Sequence, residues 1–432
     1  MNAPHSPQVA VIGGGLAGLT AAATLARHGI DVTVFEGGET IGGRARSRTR
    51  DGFAMNLGPH ALYRSTGGRD VLRRLGVPIR GRRPRLDRAG ARWRGEHSAA
   101  WSFVRRKVTD RRRVASAVAG LGGRARQAWV GRNAQEWLDD VTDDPVGRAV
   151  LASLVRTTTY AADLSVLDAA ATQAQLRAGT AHGVLYLHGG WSSLVTGLAD
   201  VVRAHGGTIE TGVRVETVEH DDQGVHAIRL ADGTSRAAVA AVVAINDPAR
   251  AAHLMNGGAA ARLSAAAGAV IPVRMAHLDV ALRPLPSARF PNLFGIDEEI
   301  YLTVPSSVAR DAPNGAAVLN VGRYLRPGEE HLDHRPALEA VLDIHQPGWR
   351  DHVVDVRYVP RSLVSGDHCR AASHGALGRP GVDVCGVGGL VIAGDWVGPT
   401  GMLADAAVTS GERSAISVVE TLRAARPARM AV

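Results

Sequence analysis

Residues 9–12, Val-Ala-Val-Ile, form an unbroken apolar run that ends in Gly13-Gly14-Gly15, and an alanine-rich stretch follows as far as His28. An apolar run of four bounded by glycines reads as a strand buried on both faces. The alanine-rich stretch after it reads as a helix. A second short run, residues 31–35, is strand-like and ends at Glu36. Residues 101–177 then carry helical spacing, with pairs at Trp137-Leu138, Val150-Leu151 and Leu154-Val155 and a run from Leu167 to Leu176. An amphipathic helix at 193–205 stops at Gly206-Gly207, and residues 208–218 read as the next strand. Asp232-Gly233 marks a hairpin turn, and residues 238–244 a buried strand. From 270 to 356, strand-like runs at 273–282 and 317–321 accompany one helix at 336–345.

The glycines of the first turn have the spacing Gly13-x-Gly15-x-x-Gly18, between a strand and a helix. Gly13 permits a tight turn, Gly15 has no Cβ to obstruct a pyrophosphate, and Gly18 lets the helix approach its strand. Leu16 and Ala17 begin that helix, whose free N–H groups and positive dipole end suit phosphates. Glu36, roughly 20 residues on, suits the ribose hydroxyls of an adenosine and repels a 2′-phosphate. The pattern predicts a dinucleotide-binding βαβ unit. No second strand–glycine turn–helix unit occurs, because the glycines at 386–389 precede their strand.

Four further segments narrow the dinucleotide: Gly42-Gly43-Arg44; Asn56-Leu57-Gly58-Pro59-His60; Tyr186-Leu187-His188-Gly189-Gly190; and residues 389–415, which include Gly394-Asp395-Trp396 and Thr400-Gly401-Met402-Leu403. Together with the first glycine turn they resemble, in order and over nearly the whole chain, the flavoprotein superfamily of phytoene desaturases, protoporphyrinogen oxidases and amine oxidases. The phytoene-desaturase-like branch is the nearest.

The resemblance implies an α/β fold, a Rossmann-type FAD-binding domain interleaved with a mixed α+β substrate domain. Residues 1–95, 184–246 and 355–432 are expected in the first, and 96–183 and 247–354 in the second. It also implies that Gly13, Gly15, Leu16, Ala17 and Gly18 cradle the FAD pyrophosphate and that Glu36 holds the ribose. Gly43 and Arg44 would lie along the phosphate and ribityl portion, and Val215 beside the adenine. Asp395, after Gly394, would meet the ribityl chain or pyrophosphate, or act as a plain N-cap. The turn Gly401-Met402-Leu403 would bring a helix N-terminus to the flavin pyrimidine. Gly58-Pro59-His60 would pass beside the ring, with His60 a base, a substrate-orienting group, or a packing residue. His188, Trp191 and Trp396 are candidates for the substrate cavity.

The implied activity is dehydrogenation of a C–H bond in a lipophilic or polycyclic small molecule, by hydride transfer to flavin N(5), with dioxygen or a quinone as electron acceptor. Amine oxidases of this kind place a lysine near N(5). In the corresponding run here stands Pro272, and Lys107 is the chain's only lysine. That departure weighs against the alternative of an amine oxidase in a secondary-metabolite pathway. A third alternative, a flavin-less binder of prenylated GTPases, is opposed by the intact Glu36, Arg44 and Asp395. Some relatives attach FAD through a cysteine. The context Gly366-Asp367-His368-Cys369 does not match that pattern, so a plain thiol is expected.

Composition adds bounds. A chain of 432 residues suggests about two domains. Its two cysteines, Cys369 and Cys385, form no metal or redox motif, so no metal site is expected, and neither a leader ahead of Val9 nor a membrane-spanning run is evident. The expected location is the cytoplasm. The formal charge of +9 is carried almost wholly by arginine, clustered at 80–94 and 105–113. No nucleic-acid module accompanies it. These clusters read as a solvated face or as a peripheral membrane contact. The oligomeric state is left open.

Overall fold

A computed structural model describes residues 8–120, 126–268 and 270–429. The expectation that no leader precedes Val9 concerns residues 1–7, which lie outside the described residues. Two sheets organise the molecule. The first has five parallel strands in the order Thr208–Thr211, Val32–Glu36, Val9–Ile12, Ala240–Val243 and Leu390–Ile392. Its central strands are buried along their whole length, which explains why they are runs of Val, Ile and Ala without alternation.

The helix Leu16–Arg27 packs on this sheet and is covered in turn by the helices Ser192–Ala204 and Leu403–Arg429. Alanine is what such a three-sided contact admits. A Cβ on Gly411 of the C-terminal helix would come within 2.3 Å of the Ala17 carbonyl oxygen. Gly18 is required for the same reason, since a Cβ there would lie 1.9 Å from the Gly13 oxygen.

The second sheet has seven strands in the order Val353–Ser365, Val273–Leu282, Ala317–Tyr324, Ile300–Thr303, Asn292–Gly295, Gly90–Trp93 and Glu96–Ala99. Its pairings are antiparallel except for Asn292–Gly295 with Gly90–Trp93. Leu278, Val280 and Leu282 pack against Leu338, Val341 and Leu342 of the helix Arg335–His345. Met275, His277 and Asp279, of opposite parity, point to the other face.

The sheet pairing differs from the sequence reading at three places. Gly90–Trp93 and most of Val353–Ser365, which the boundaries at 95 and 355 gave to the nucleotide-binding part, are strands of the seven-stranded sheet. Long-range pairing, invisible in local pattern, decides their membership. The single strand expected over 208–218 is two, Thr208–Thr211 and Val215–Asp221, in different sheets, broken at Gly212 with φ +72°. The helices expected between 101 and 177 are present, from Ala100–Lys107 to Ala169–Arg177.

Candidate active site

A cavity of about 420 Å³ runs between the two sheets, within the 300–1,000 Å³ usual for small-molecule and cofactor sites. At one end its wall is the first glycine turn and the helix start, Gly15, Leu16 and Ala17, with Arg44 and Asp395 opposite. Gly15 has extended backbone, φ −79°, and a Cβ placed on it would meet no protein atom within 4 Å. The space above the helix N-terminus is therefore open. Arg44 donates to Asp395 Oδ2 at 2.8 Å and to the Val364 carbonyl, and Asp395, 1% exposed, also accepts from the Gly366 N–H at 3.1 Å. Asp395 thus caps no helix; it holds Arg44. Glu36 lies behind the turn, accepting from the Gly14 and Gly38 N–H groups at 2.8 Å each. These bonds fix its carboxylate at the end of its strand.

At the centre stand Gly58, Pro59, His60 and Trp191. His60 Nδ1 bonds the Gly58 carbonyl at 3.0 Å, which makes Nδ1 the protonated nitrogen and leaves Nε2 as an acceptor. Its ring sits edge-on to Trp191, centroids 4.9 Å apart. Burial pulls the imidazole below its ordinary pKa, outweighing the Gly58 carbonyl, which raises it.

His277 also borders the cavity, and sequence reasoning missed it. Its Nδ1 bonds Asp279 Oδ1 at 3.0 Å, while its Nε2, buried, has no partner. Asp279 further accepts from Asn320 at 2.6 Å and from Arg357 Nε at 3.1 Å. Burial alone would raise the Asp279 carboxyl, but the His277 imidazole and the Arg357 guanidinium together hold it below the usual carboxylate range. The available signal was His-x-Asp within residues 275–282, a run otherwise apolar on both faces, since buried polar groups need partners.

The far end is aromatic: Tyr63, Tyr160, Tyr186, Phe294 and Tyr301, with Met275 and Leu154. The tyrosine hydroxyls are engaged by the protein. Tyr63 donates to the Thr158 carbonyl at 2.8 Å and Tyr160 to the Pro59 carbonyl at 2.9 Å, while Tyr186 and Tyr301 both bond Asn292. What remains for a ligand is ring face. The cavity's two carboxylates, Asp395 and Asp405, lie at the other end; Asp405 accepts from the Gly68 N–H.

Of the other predicted positions, Leu403, first residue of the C-terminal helix, lines the cavity. Gly401 and Met402 do not: the Gly401 carbonyl accepts from Arg379, itself paired with Asp367 at 2.6 Å, and Met402 is buried in the core cluster that includes Phe103 and Leu167. Gly13 and Gly18 shape the turn from behind, with Gly13 at φ +109°, and Gly43 sits under Gly15. Val215 packs in the cluster containing Phe35, and the Gly394 N–H donates to Ser410.

Two substrate candidates fall outside the cavity. Trp396 is wholly buried in the core behind the sheet, its indole N–H given to the Ile245 carbonyl at 3.0 Å, because it follows the wall residue Asp395 and points the opposite way. His188, in the turn after the strand Val184–Leu187, accepts from the Arg310 N–H at 3.1 Å and does not line the cavity. Pro272 is exposed and outside the cavity wall, so the lysine argument rests on a different fact: Lys107 is exposed on the helix Ala100–Lys107 and is the chain's only lysine. Cys369 is a buried thiol that accepts from Arg379 at 2.6 Å, and burial pushes its pKa up. Among the described residues no cluster of metal-ligating side chains occurs, and no helix is long and apolar enough to cross a membrane.

Comparison with known proteins bears on the family and the fold. The profile of the family described as flavin containing amine oxidoreductase matches residues 16–277. A 4,4'-diapophytoene desaturase (4,4'-diaponeurosporene-forming) of Staphylococcus aureus (strain Newman) is 39% identical over 69 residues, 16% of this chain and 14% of the desaturase's length. An oxidoreductase from Methanosarcina mazei has the same fold, with TM-score 0.76 and 20% identity over 96% of this chain and all of its own. Putrescine oxidase bound to putrescine superposes with TM-score 0.68 and 14% identity, covering 96% of this chain and 99% of its own.

Proposed function

Because this chain belongs to the family of flavin-containing amine oxidoreductases and its cofactor is accordingly FAD, we propose that it is the dehydrogenase or oxidase of a neutral, lipophilic small molecule. FAD, when bound, supplies the two-electron acceptor for a substrate C–H bond. The open space over Gly15 fits its pyrophosphate, which the N–H groups of the helix start would hold. Glu36 would take the ribose, Arg44 and Asp395 the phosphate and ribityl portion, and the start of the helix at Leu403 the flavin end.

The observation that carries the substrate reading is the aromatic end, whose tyrosine hydroxyls are already satisfied and whose walls hold no carboxylate or lysine. A diamine would leave its ammonium groups there without a partner, a costly burial. A carbon skeleton meets ring faces, Met275 and Leu154, and its entry displaces water. His60 Nε2 faces this space as a neutral acceptor and takes the proton released as the C–H bond is oxidised. Trp191 holds the ring edge-on. Dioxygen or a quinone would serve as the electron acceptor, since the sequence carries a single dinucleotide-binding unit.

The test is anaerobic: the purified protein is mixed with a panel of polyene and polycyclic hydrocarbons, with putrescine, and with NADPH, and flavin absorbance is followed. Bleaching by a lipophilic member and by neither putrescine nor NADPH is expected. Bleaching by putrescine would reinstate the amine-oxidase reading, and bleaching by NADPH would refute the proposed acceptor.

A further inference from the structure

The strand Val184–Leu187 divides two concavities. Val184 and Tyr186 line the aromatic cavity, whereas Leu185, on the opposite face by the strand's two-residue period, lines a second hollow of about 460 Å³. Four arginines, Arg64, Arg82, Arg83 and Arg85, form most of the rest of its wall. Arg83 belongs to both spaces and stands beside Gly183, where the strand begins.

Their charges are unevenly matched. Arg85 is paired with Asp87 through bonds of 3.0 and 2.8 Å. Arg64 and Arg83 reach only the His182 carbonyl, at 2.9 and 3.5 Å, and Arg82 pairs with Tyr186 through backbone alone. Among the described residues none of these three has a carboxylate within ion-pair distance. The imbalance extends to the whole segment. Residues 80–113 hold 13 of the 50 Lys and Arg and three of the 41 acidic residues, so the rest of the chain carries 37 basic against 38 acidic side chains. The net positive charge of the protein is therefore concentrated in the segment that supplies three of the hollow's four arginines. Guanidinium groups converging on one concavity repel each other unless an anion lies among them, and their planar forks suit phosphate or carboxylate oxygens.

We propose that the arginine hollow receives the phosphate or carboxylate head of an amphiphilic ligand whose apolar body lies in the aromatic cavity. This rests on the reading that the cavity takes a lipophilic substrate, and it adds the chemistry of that substrate's polar end. The arrangement sorts ligands by polarity: ring faces inside, uncompensated cations at the rim, and Arg83 at the junction.

Calorimetric titration of the FAD-loaded protein with decyl phosphate, decanol and inorganic phosphate tests it. Decyl phosphate is expected to bind at least about tenfold more tightly than decanol, as charge-assisted hydrogen bonds imply. That preference should weaken as salt rises. Arg64 and Arg82 line the hollow and not the cavity, so Arg64→Gln with Arg82→Gln should leave folding, FAD content and decanol affinity intact while weakening the preference. The Lys pair at the same positions should retain part of it.

Equal affinity of the wild type for both alkyl probes, or an undiminished preference in the Gln variant, overturns the proposal while leaving the lipophilic cavity standing. Inorganic phosphate binding as tightly as decyl phosphate would make the hollow a free-anion site and break its link to the cavity. Binding to phosphatidylglycerol vesicles without binding to decyl phosphate would make it a membrane-docking face, which also overturns the proposal. Failure of both alkyl probes to bind would sink the lipophilic reading and this inference with it.

Discussion

The two ends of the cavity are built by different means. At the glycine-turn end, backbone does the work. Helix N–H groups, an open position over Gly15, and the partly exposed Arg44 held by the buried Asp395 face the ligand, and the residues behind them are fixed by close approach, as at Gly13 and Gly18. At the aromatic end the side chains face the ligand, drawn from a helix at Leu154, strands at Tyr186, Met275 and Tyr301, and the turn near Tyr160. A backbone site tolerates few residue types and so leaves a spaced signature. A side-chain site assembled from distant elements can be rebuilt with other residues of similar volume, and the cofactor is held constant while the substrate varies.

The sharpest way to break this contrast is Gly15→Val. The extended backbone at Gly15 accommodates any residue and no protein atom obstructs the new side chain, so the fold should persist while FAD is lost. Circular dichroism beside flavin absorbance checks both halves. Full FAD occupancy in this variant would refute the assignment of that end.

Next in size is His60→Ala, which should slow anaerobic flavin reduction by roughly 100-fold or more, the usual scale of general-base help, with FAD retained. Because burial holds the His60 pKa below its ordinary value, the acceptor form persists at neutral pH. The wild-type rate should therefore stay flat from pH 8 down to about 6.5 and fall only below that. A decline already complete at pH 7 would assign the base elsewhere, with His277 the first alternative.

The boundary between residues read from local pattern and residues placed by tertiary contact shows in particular elements. The five-stranded sheet and its helix were legible, because strands buried on both faces and a helix buried on three sides impose runs that survive in sequence. Gly90–Trp93 and most of Val353–Ser365 pair in the seven-stranded sheet although the boundaries at 95 and 355 put them with the nucleotide-binding part, since partners distant in sequence, Leu293 for Gly90 and Leu282 for Val353, set their membership. Within the site, Gly15, Arg44, His60, Trp191 and Asp395 were found where the cavity is. Trp396 was misplaced by adjacency to Asp395: neighbouring residues near a strand end point to opposite faces. His277 and Asp279 were overlooked because two polar residues in an apolar strand carry no spacing motif, though their mutual bond explains both.

Smaller effects sharpen the comparison further. Asp311 is buried, and burial raises its carboxyl to about 7. The folded protein then binds more protons than the unfolded chain between about pH 4 and 7, so this group favours the fold at low pH and costs stability as pH rises through that window. Asp311→Asn should raise Tm at pH 8 by the equivalent of a few kcal/mol, with ~4 kcal/mol as the upper bound from three pKa units, and have little effect at pH 4. An equal change at both pH values would contradict the assignment. Smallest, Glu36→Ala should weaken FAD binding by about 1.5–3 kcal/mol, the worth of a charged hydrogen bond, measured by equilibrium titration of the apoprotein. No weakening would place the ribose elsewhere.

The division of the cavity is tested most directly by Leu154→Asp, which sets a carboxylate at the aromatic end from the partly exposed side of the helix Pro145–Thr159. FAD content and anaerobic flavin reduction by the best lipophilic substrate are read on the same sample. The FAD-to-protein ratio should equal that of the wild type while reduction slows more than tenfold, on the scale of burying an unpaired charge beside an apolar ligand. Loss of FAD from a folded variant, or reduction as fast as in the wild type, would contradict the separation of a cofactor end from a lipophilic end.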